Sequence, residues 1–221
     1  MVGAGLIGTP CLADKQPDFG NEKTRVNYSV GYLIGDDFKR QGVKINPEVL
    51  IKGIQDAISG KTPMMTADEQ RDTLVNLQKK VSALQEQKRK EQMGKNLTQG
   101  KAFLSENANK EGIKSLPSGL QYRVISEGSK KSPGKNDTVT VHYRGTLIDG
   151  TEFDSSYSRG KPATFKVDGV IAGWTEALQL MKEGAKWQLF IPPKLGYGDK
   201  SIGRVEPNST LIFEVELISF Q

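Results

Sequence analysis

The chain contains a single histidine, His142, and a single cysteine, Cys11. A nucleophilic triad needs a histidine base, a zinc site draws on several His and Cys ligands, and a disulfide framework needs cysteine pairs. Hydrolase, zinc-enzyme and disulfide-scaffold chemistries therefore have little to build on. His142 falls in Val139-Thr140-Val141-His142-Tyr143, where a period of two sets it opposite the apolar face, so an exposed sheet histidine is expected. Asp154 precedes Ser155-Ser156 and fits a turn cap, while Tyr197 between Gly196 and Gly198 fits a turn aromatic. Phe153, Phe165, Trp174 and Phe213 fall at spacings that make them core residues in any small β domain; pattern alone favours packing over a ligand pocket.

The elements that must position these residues lie in two halves. After Pro117 the apolar period is two: Leu120, Tyr122 and Val124; Val139, Val141 and Tyr143; Phe165 and Val167; Trp187, Leu189 and Ile191; Leu211, Phe213, Val215 and Leu217. Turn signals at Ser132-Pro133-Gly134, Asp149-Gly150 and Asp168-Gly169 separate these strands, and one short helix, Trp174 to Met181, presents Trp174, Ala177, Leu178 and Met181 on one face. An antiparallel sheet curled around that helix is the economical arrangement.

Before Pro117 the period is helical. Val30, Leu33, Ile34 and Phe38 form one stripe. Asn46-Pro47-Glu48 opens a second helix that buries Leu50, Ile51, Ile54, Ala57 and Ile58 and closes at Gly60. Thr66-Ala67-Asp68-Glu69 reads as a capping box, and with no proline before Pro117 a helix is predicted from about 67 to about 108, on the order of 60 Å long. Leu74, Leu77, Val81 and Leu84 stripe its first half. The second half, QEQKRKEQMGKN, has almost nothing to bury and reads as a solvated rod, with bending or fraying expected at Gly94 and Gly100. Residues 15–25 are polar, and no ordered element is expected there. Two short helices and half a long one offer little apolar core, which points to self-association; a loose helical domain folded back on the rod is the alternative.

The formal charge of +5 is spread among interleaved Asp and Glu, and no basic-aromatic stripe supports nucleic-acid binding. No run approaches the ~20 apolar residues of a membrane span. The opening MVGAGLIGTPCLAD resembles the end of a secretory signal cleaved after Ala13, which implies a periplasmic or exported protein, although a basic leading region is missing. An ordinary N-terminus on a cytoplasmic protein is the alternative. Thr9-Pro10 is a poor lead-in for lipidation at Cys11.

VHYRGTLIDGTEFDSS, GVIAGWTEALQLM, IPPKLGYG and PNSTLIFEVELI, in this order, resemble the FKBP-type peptidyl-prolyl isomerases over residues 114–221. With YSVGYLIGDDF and LIKGIQDAISGK upstream, the whole chain resembles the Mip/FkpA-like group. The resemblance implies an α+β chain: a signal-like segment 1–14, a helical dimerisation module 15–65, a long connecting helix 66–113 and an isomerase domain 114–221.

It also implies roles. Trp174 would floor a proline pocket walled by Tyr143, Phe153, Phe165, Val170, Ile171 and Phe213, and the Ile171 backbone N–H would bind a substrate carbonyl. Asp154 and Tyr197 would be catalytic, with Arg159 paired to Asp154. Three positions depart from the family's pattern: Ala163 stands where many members have phenylalanine, Gly196 replaces a common alanine, and the flap reads YGDKSIGRVEPNS, with Val205-Glu206 before Pro207.

The implied reaction makes and breaks no bond. Rotation about an X-Pro amide faces a barrier of ~18–20 kcal/mol from lost resonance, and a dry cavity that favours the twisted state lowers it. No cofactor or metal is implied. The implied partners are proline-containing unfolded or partly folded chains, a second copy of the chain through the helical arm, and FK506-type macrolides as inhibitors, with chaperone-like action as a dimer.

Overall fold

The computed structural model describes residues 16–129 and 131–221; the signal-like segment 1–14 and Cys11 lie outside the described residues. The chain divides into two compact units, one ending at Gln85 and the other running from Glu86 to Gln221.

In the first unit, α1 spans Glu22–Gln41, where Asn21 caps the helix by accepting from the backbone N–H groups of Lys23 and Thr24. Residues 22–25, expected to be without an ordered element, are thus helical, and the missed signal is an asparagine cap followed by an acid. Helix α2 spans Pro47–Ile58, and the Asn46 side chain accepts from Glu48 N at 2.9 Å and Val49 N at 3.3 Å. Gly60, at φ 66°, closes it in the left-handed region that glycine adopts without strain. Helix α3 spans Ala67–Asn107 and opens on the expected capping box: Thr66 N donates to Glu69 Oε2 at 2.8 Å and Glu69 N to Thr66 Oγ1 at 3.2 Å. Val81 is buried, beside the Gln41–Lys44 turn. No residue of α1 or α2 is buried: Ile34, Phe38 and Leu50 are half-buried, while Val30, Leu33, Ile51, Ile54, Ala57 and Ile58 are exposed within the single chain.

The second unit begins with the remainder of α3. Its helix is unbroken through Gly94 and Gly100, so it does not fray there. The QEQKRKEQMGKN stretch buries no residue, in keeping with the expected solvated rod, but beyond it Gly100 and Asn107 are buried, and Asn107 Nδ2 donates to Gln121 Oε1 at 2.9 Å. The Phe103 ring lies 6.0 Å from that of Phe190. Beside this one aromatic contact, small and amide side chains carry the approach, and these leave no hydrophobic period.

Seven strands follow: β1 Ile113–Ser115, β2 Gln121–Ser126, β3 Thr138–Leu147, β4 Glu152–Ser155, β5 Ala163–Lys166, β6 Lys186–Ile191 and β7 Leu211–Phe220. They form one antiparallel sheet in the order β1-β2-β6-β7-β3-β4, with β5 also paired to β3. Between β5 and β6, α4 covers Ala172–Leu178; it stops short of the expected Met181, yet Met181 is fully buried with Trp174, Ala177 and Leu178. The core lies between this helix and the alternating inward residues of β3, β6 and β7.

Candidate active site

Strand β3 organises the site. One edge pairs with β7 from Val139 to Leu147; the other is shared by β5, along Thr138–Val141, and β4, along Arg144–Thr146. The loop between β4 and β5 therefore leaves the sheet beside Tyr143 and carries Arg159 back over it. Gly145 makes the close packing possible, since a Cβ there would lie 2.7 Å from the Phe213 ring and 2.8 Å from the Phe153 ring.

Helix α4 supplies the floor. Ile171 precedes its first turn, and its carbonyl accepts from Trp174 N at 2.9 Å and Thr175 N at 3.1 Å. The Thr175 hydroxyl donates to the Val167 carbonyl at 2.7 Å, locking the helix to the 3₁₀ turn at Val167–Gly169. Trp174 is 4% exposed, and three rings meet its indole at steep angles: Tyr143 at 5.2 Å and 87°, Phe213 at 5.2 Å and 83°, and Phe165 at 5.9 Å and 87°. Such edge-to-face contacts are the favoured geometry of aromatic quadrupoles. They hold the rings around a cavity of about 250 Å³ that is open to solvent, with Val170, Ile171 and Gly169 on one side and Tyr197 and Asp154 at the rim.

At the rim, three polar groups close a hydrogen-bonded ring. Arg159 donates from Nη1 to Asp154 Oδ1 and from Nη2 to Tyr143 Oη, each at 2.6 Å. Arginine only donates, so the Tyr143 hydroxyl spends its proton on Asp154 Oδ2, also at 2.6 Å. Partial burial pushes the Asp154 carboxyl up, but the bonds from Tyr143 and Arg159 and the guanidinium charge outweigh it and hold the carboxyl below its ordinary range. Burial raises the Tyr143 phenol, and its hydrogen bond to Asp154 adds to that. The Tyr197 phenol is raised by burial first and the Asp154 charge second. The rim at neutral pH is thus one carboxylate, one guanidinium and two neutral phenols.

Every residue named for the pocket lines this cavity except Phe153, whose ring meets Phe213 edge-on at 5.4 Å. Phe153 supports a wall instead of forming one. Gly169 lines the cavity and was read from sequence only as part of a turn. Ala163 pairs with Val141 and does not line the cavity, leaving Phe165 as the ring that β5 contributes. In the atypical flap, Val205 is 3% exposed and joins the core. His142 is not the exposed residue expected: it is half-buried, its Nδ1 lies 2.9 Å from the Ser156 hydroxyl and its ring stacks on Tyr157 at 4.6 Å.

Residues 129–218 match the family described as FKBP-type peptidyl-prolyl cis-trans isomerase, and residues 23–124 match the domain amino terminal to FKBP-type peptidyl-prolyl isomerase. The outer membrane protein MIP of Legionella longbeachae is 47% identical over 99% of this chain and 96% of its own length. The chain belongs to the FKBP-type peptidyl-prolyl isomerases. A peptidyl-prolyl cis-trans isomerase Mip from Coxiella burnetii is 45% identical over 97% of this chain and 93% of its own. The crystal structure of FkpA from Escherichia coli matches at a TM-score of 0.75 and 38% identity, covering 92% of this chain and 98% of that one. As an FKBP-type isomerase the protein has no need of a histidine base or a nucleophile, since prolyl isomerisation changes no covalent connection.

Proposed function

We propose that the aromatic cavity seats the prolyl ring of an X-Pro segment, with Trp174 as floor and Tyr143, Phe165 and Phe213 as walls. The observation that carries this reading is the indole ringed edge-on by three aromatics beneath a carboxylate-guanidinium-phenol rim. Withdrawing the amide from water favours the twisted state, in which resonance and its charge separation are reduced. The Ile171 N–H and the neutral Tyr197 hydroxyl donate to flanking carbonyls and hold the chain while the bond turns. Asp154, kept ionised, places negative charge beside the amide carbon. A protease-coupled assay on an Xaa-Pro peptide tests this: turnover is expected in the parent chain, reduced in Asp154→Ala and Tyr197→Phe, and blocked by FK506. An inactive parent chain that still binds unfolded protein would instead make the cavity a holding site.

The helical unit fits a homodimerisation arm. Leu33, Ile58 and Met64 are 65%, 83% and 82% exposed, on a unit where α1 and α2 bury no residue. Two cavities on one dimer would engage a non-native chain at raised effective concentration, supporting chaperone-like action. The division into a dimerisation module at 15–65, a connecting helix at 66–113 and an isomerase domain from 114 belongs to the same proposal. Export to the periplasm is supported by the signal-like opening and by the name of the Legionella relative, an outer membrane protein.

A further inference from the structure

Tyr197 packs against the core from a short loop whose backbone must be held in place. Gly196 and Gly198 flank it, and Gly198 sits at φ 62°. Backbone bonds hold the segment in place: Gly196 N and Gly198 N donate to the Pro193 carbonyl at 3.0 and 2.9 Å, Lys200 N donates to the Tyr197 carbonyl at 3.3 Å, and Asn208 N donates to the Gly198 carbonyl at 2.7 Å. Asn208, at φ 57°, is the one non-glycine with positive φ among the described residues. Its conformation carries a steric cost for a residue with a Cβ, and such a cost persists where neighbouring contacts enforce it.

Ser209 Oγ bridges this turn by donating to the Glu206 carbonyl at 2.7 Å, and a second anchor comes from helix α3. Asn96 Nδ2 donates to the Pro207 carbonyl at 2.9 Å and lies 3.5 Å from Glu206 Oε2, while Asn96 Oδ1 accepts from Gln92 Nε2 at 2.9 Å. A carbonyl only accepts, so the amide nitrogen must face Pro207, and the bond from Gln92 fixes the flip. One turn on, Gly100 lets the helix close on the base of the same loop. A Cβ at Gly100 would stand 2.3 Å from Thr210 Oγ1 and 3.3 Å from Thr210 Cβ.

We infer that Asn96, with Gly100, is a positioning residue for isomerisation: it anchors Pro207 so that Asn208 holds Gly198 and thereby sets the Tyr197 hydroxyl at the cavity rim. This rests on the reading of Tyr197 as a group that faces substrate. It also makes the second half of α3 part of the enzyme's working unit.

The test uses the full-length chain. Asn96→Asp keeps the shape and loses the donor; Asn96→Ala removes the side chain. Each should lower kcat/KM on an Xaa-Pro peptide by about three- to tenfold, the scale of one lost hydrogen bond, with circular dichroism unchanged. In a Tyr197→Phe background the same substitution should cost less than about twofold, because its route to the substrate is already cut. Gly100→Ala should act in the same direction, and adding Thr210→Ala should restore part of the loss. Ring resonances of carbon-13-labelled Tyr197, assigned through Tyr197→Phe, should shift in Asn96→Ala. Unchanged Tyr197 resonances overturn the proposal, as does an equal loss in both backgrounds, which marks a merely structural role. Should the resonances shift while Tyr197→Phe alone retains full kcat/KM, Asn96 does position Tyr197, and the reading of Tyr197 as a substrate contact is what fails.

Discussion

At the residue scale, the site depends on how three rim groups settle their protons. Asp154 accepts from both Tyr143 and Arg159, and these donors outweigh the burial that would raise its carboxyl. Replacing it by asparagine keeps the shape and removes the charge that Arg159 faces. We predict a fall in kcat/KM of roughly tenfold, about 1.4 kcal/mol of transition-state stabilisation, with KM for the peptide little changed. The same network sets the pH response. A depressed carboxyl contributes fully above the ordinary carboxylate range and is lost only as pH falls through the depressed value; raised phenols keep their protons past about pH 10. The kcat/KM profile should therefore be flat from about pH 6 to 9. A sigmoidal step within that window would mean that some other group controls the rate. Most of this site could be located in the sequence through linked motifs, because Tyr143, Asp154, Trp174 and Tyr197 sit in short segments of fixed type. The supporting place of Phe153 and the half-burial of His142 could not, since both are decided by the Gly145 approach and the fold of the β4-β5 loop.

At the element scale, two glycines of α3 separate local cost from tertiary need. Gly94 has no atom within 4 Å of where a Cβ would stand, whereas Gly100 abuts Thr210. Gly94→Ala should stabilise the chain by about 0.5–1 kcal/mol through helix propensity alone, read as a higher urea midpoint at constant m. A lower midpoint would show that Gly94 has a packing partner. On β3, Gly145→Ala drives a methyl into the Phe213 and Phe153 rings and should destabilise by about 1–3 kcal/mol, with a matching drop in thermal midpoint. The sequence reads both glycines of α3 as weak points, because propensity records what a residue costs in isolation. It does not record which backbone must come close. For the same reason, the polar second half of α3 reads as solvated: its contacts to the loop before β7 run through Asn96 and Gly100 and its bond to β2 through Asn107, residues that periodic analysis counts as polar or silent.

At the scale of the molecule, exposed Leu33 and Ile58 on helices that bury nothing, and exposed Met64 in the loop after α2, call for a covering surface. Light scattering should find the full chain dimeric and a chain beginning at Glu86 monomeric. Equal masses per particle, scaled for length, would remove the arm's assigned role. The shortened chain keeps Asn96 and Gly100, so its turnover of short peptides should stay within about twofold of the parent, while its effect on a slowly refolding proline-limited protein should drop severalfold. A parallel loss on both substrates would contradict that division of labour. Starting the chain near residue 110 instead removes the Asn96 contact, and peptide turnover should then fall as well.

Taken alone, the order of residues settles the α+β class, the helix starts, the alternating strands and the segments that build the pocket. These follow from capping chemistry, hydrophobic period and motif spacing, which act over a few residues. Which face of α3 meets the sheet, where Phe153 stands, and how a distant asparagine comes to hold the loop of Tyr197 are tertiary outcomes. Each depends on backbones approaching closely at glycines and on amides pairing across long stretches of chain, and neither leaves a periodic mark in the sequence.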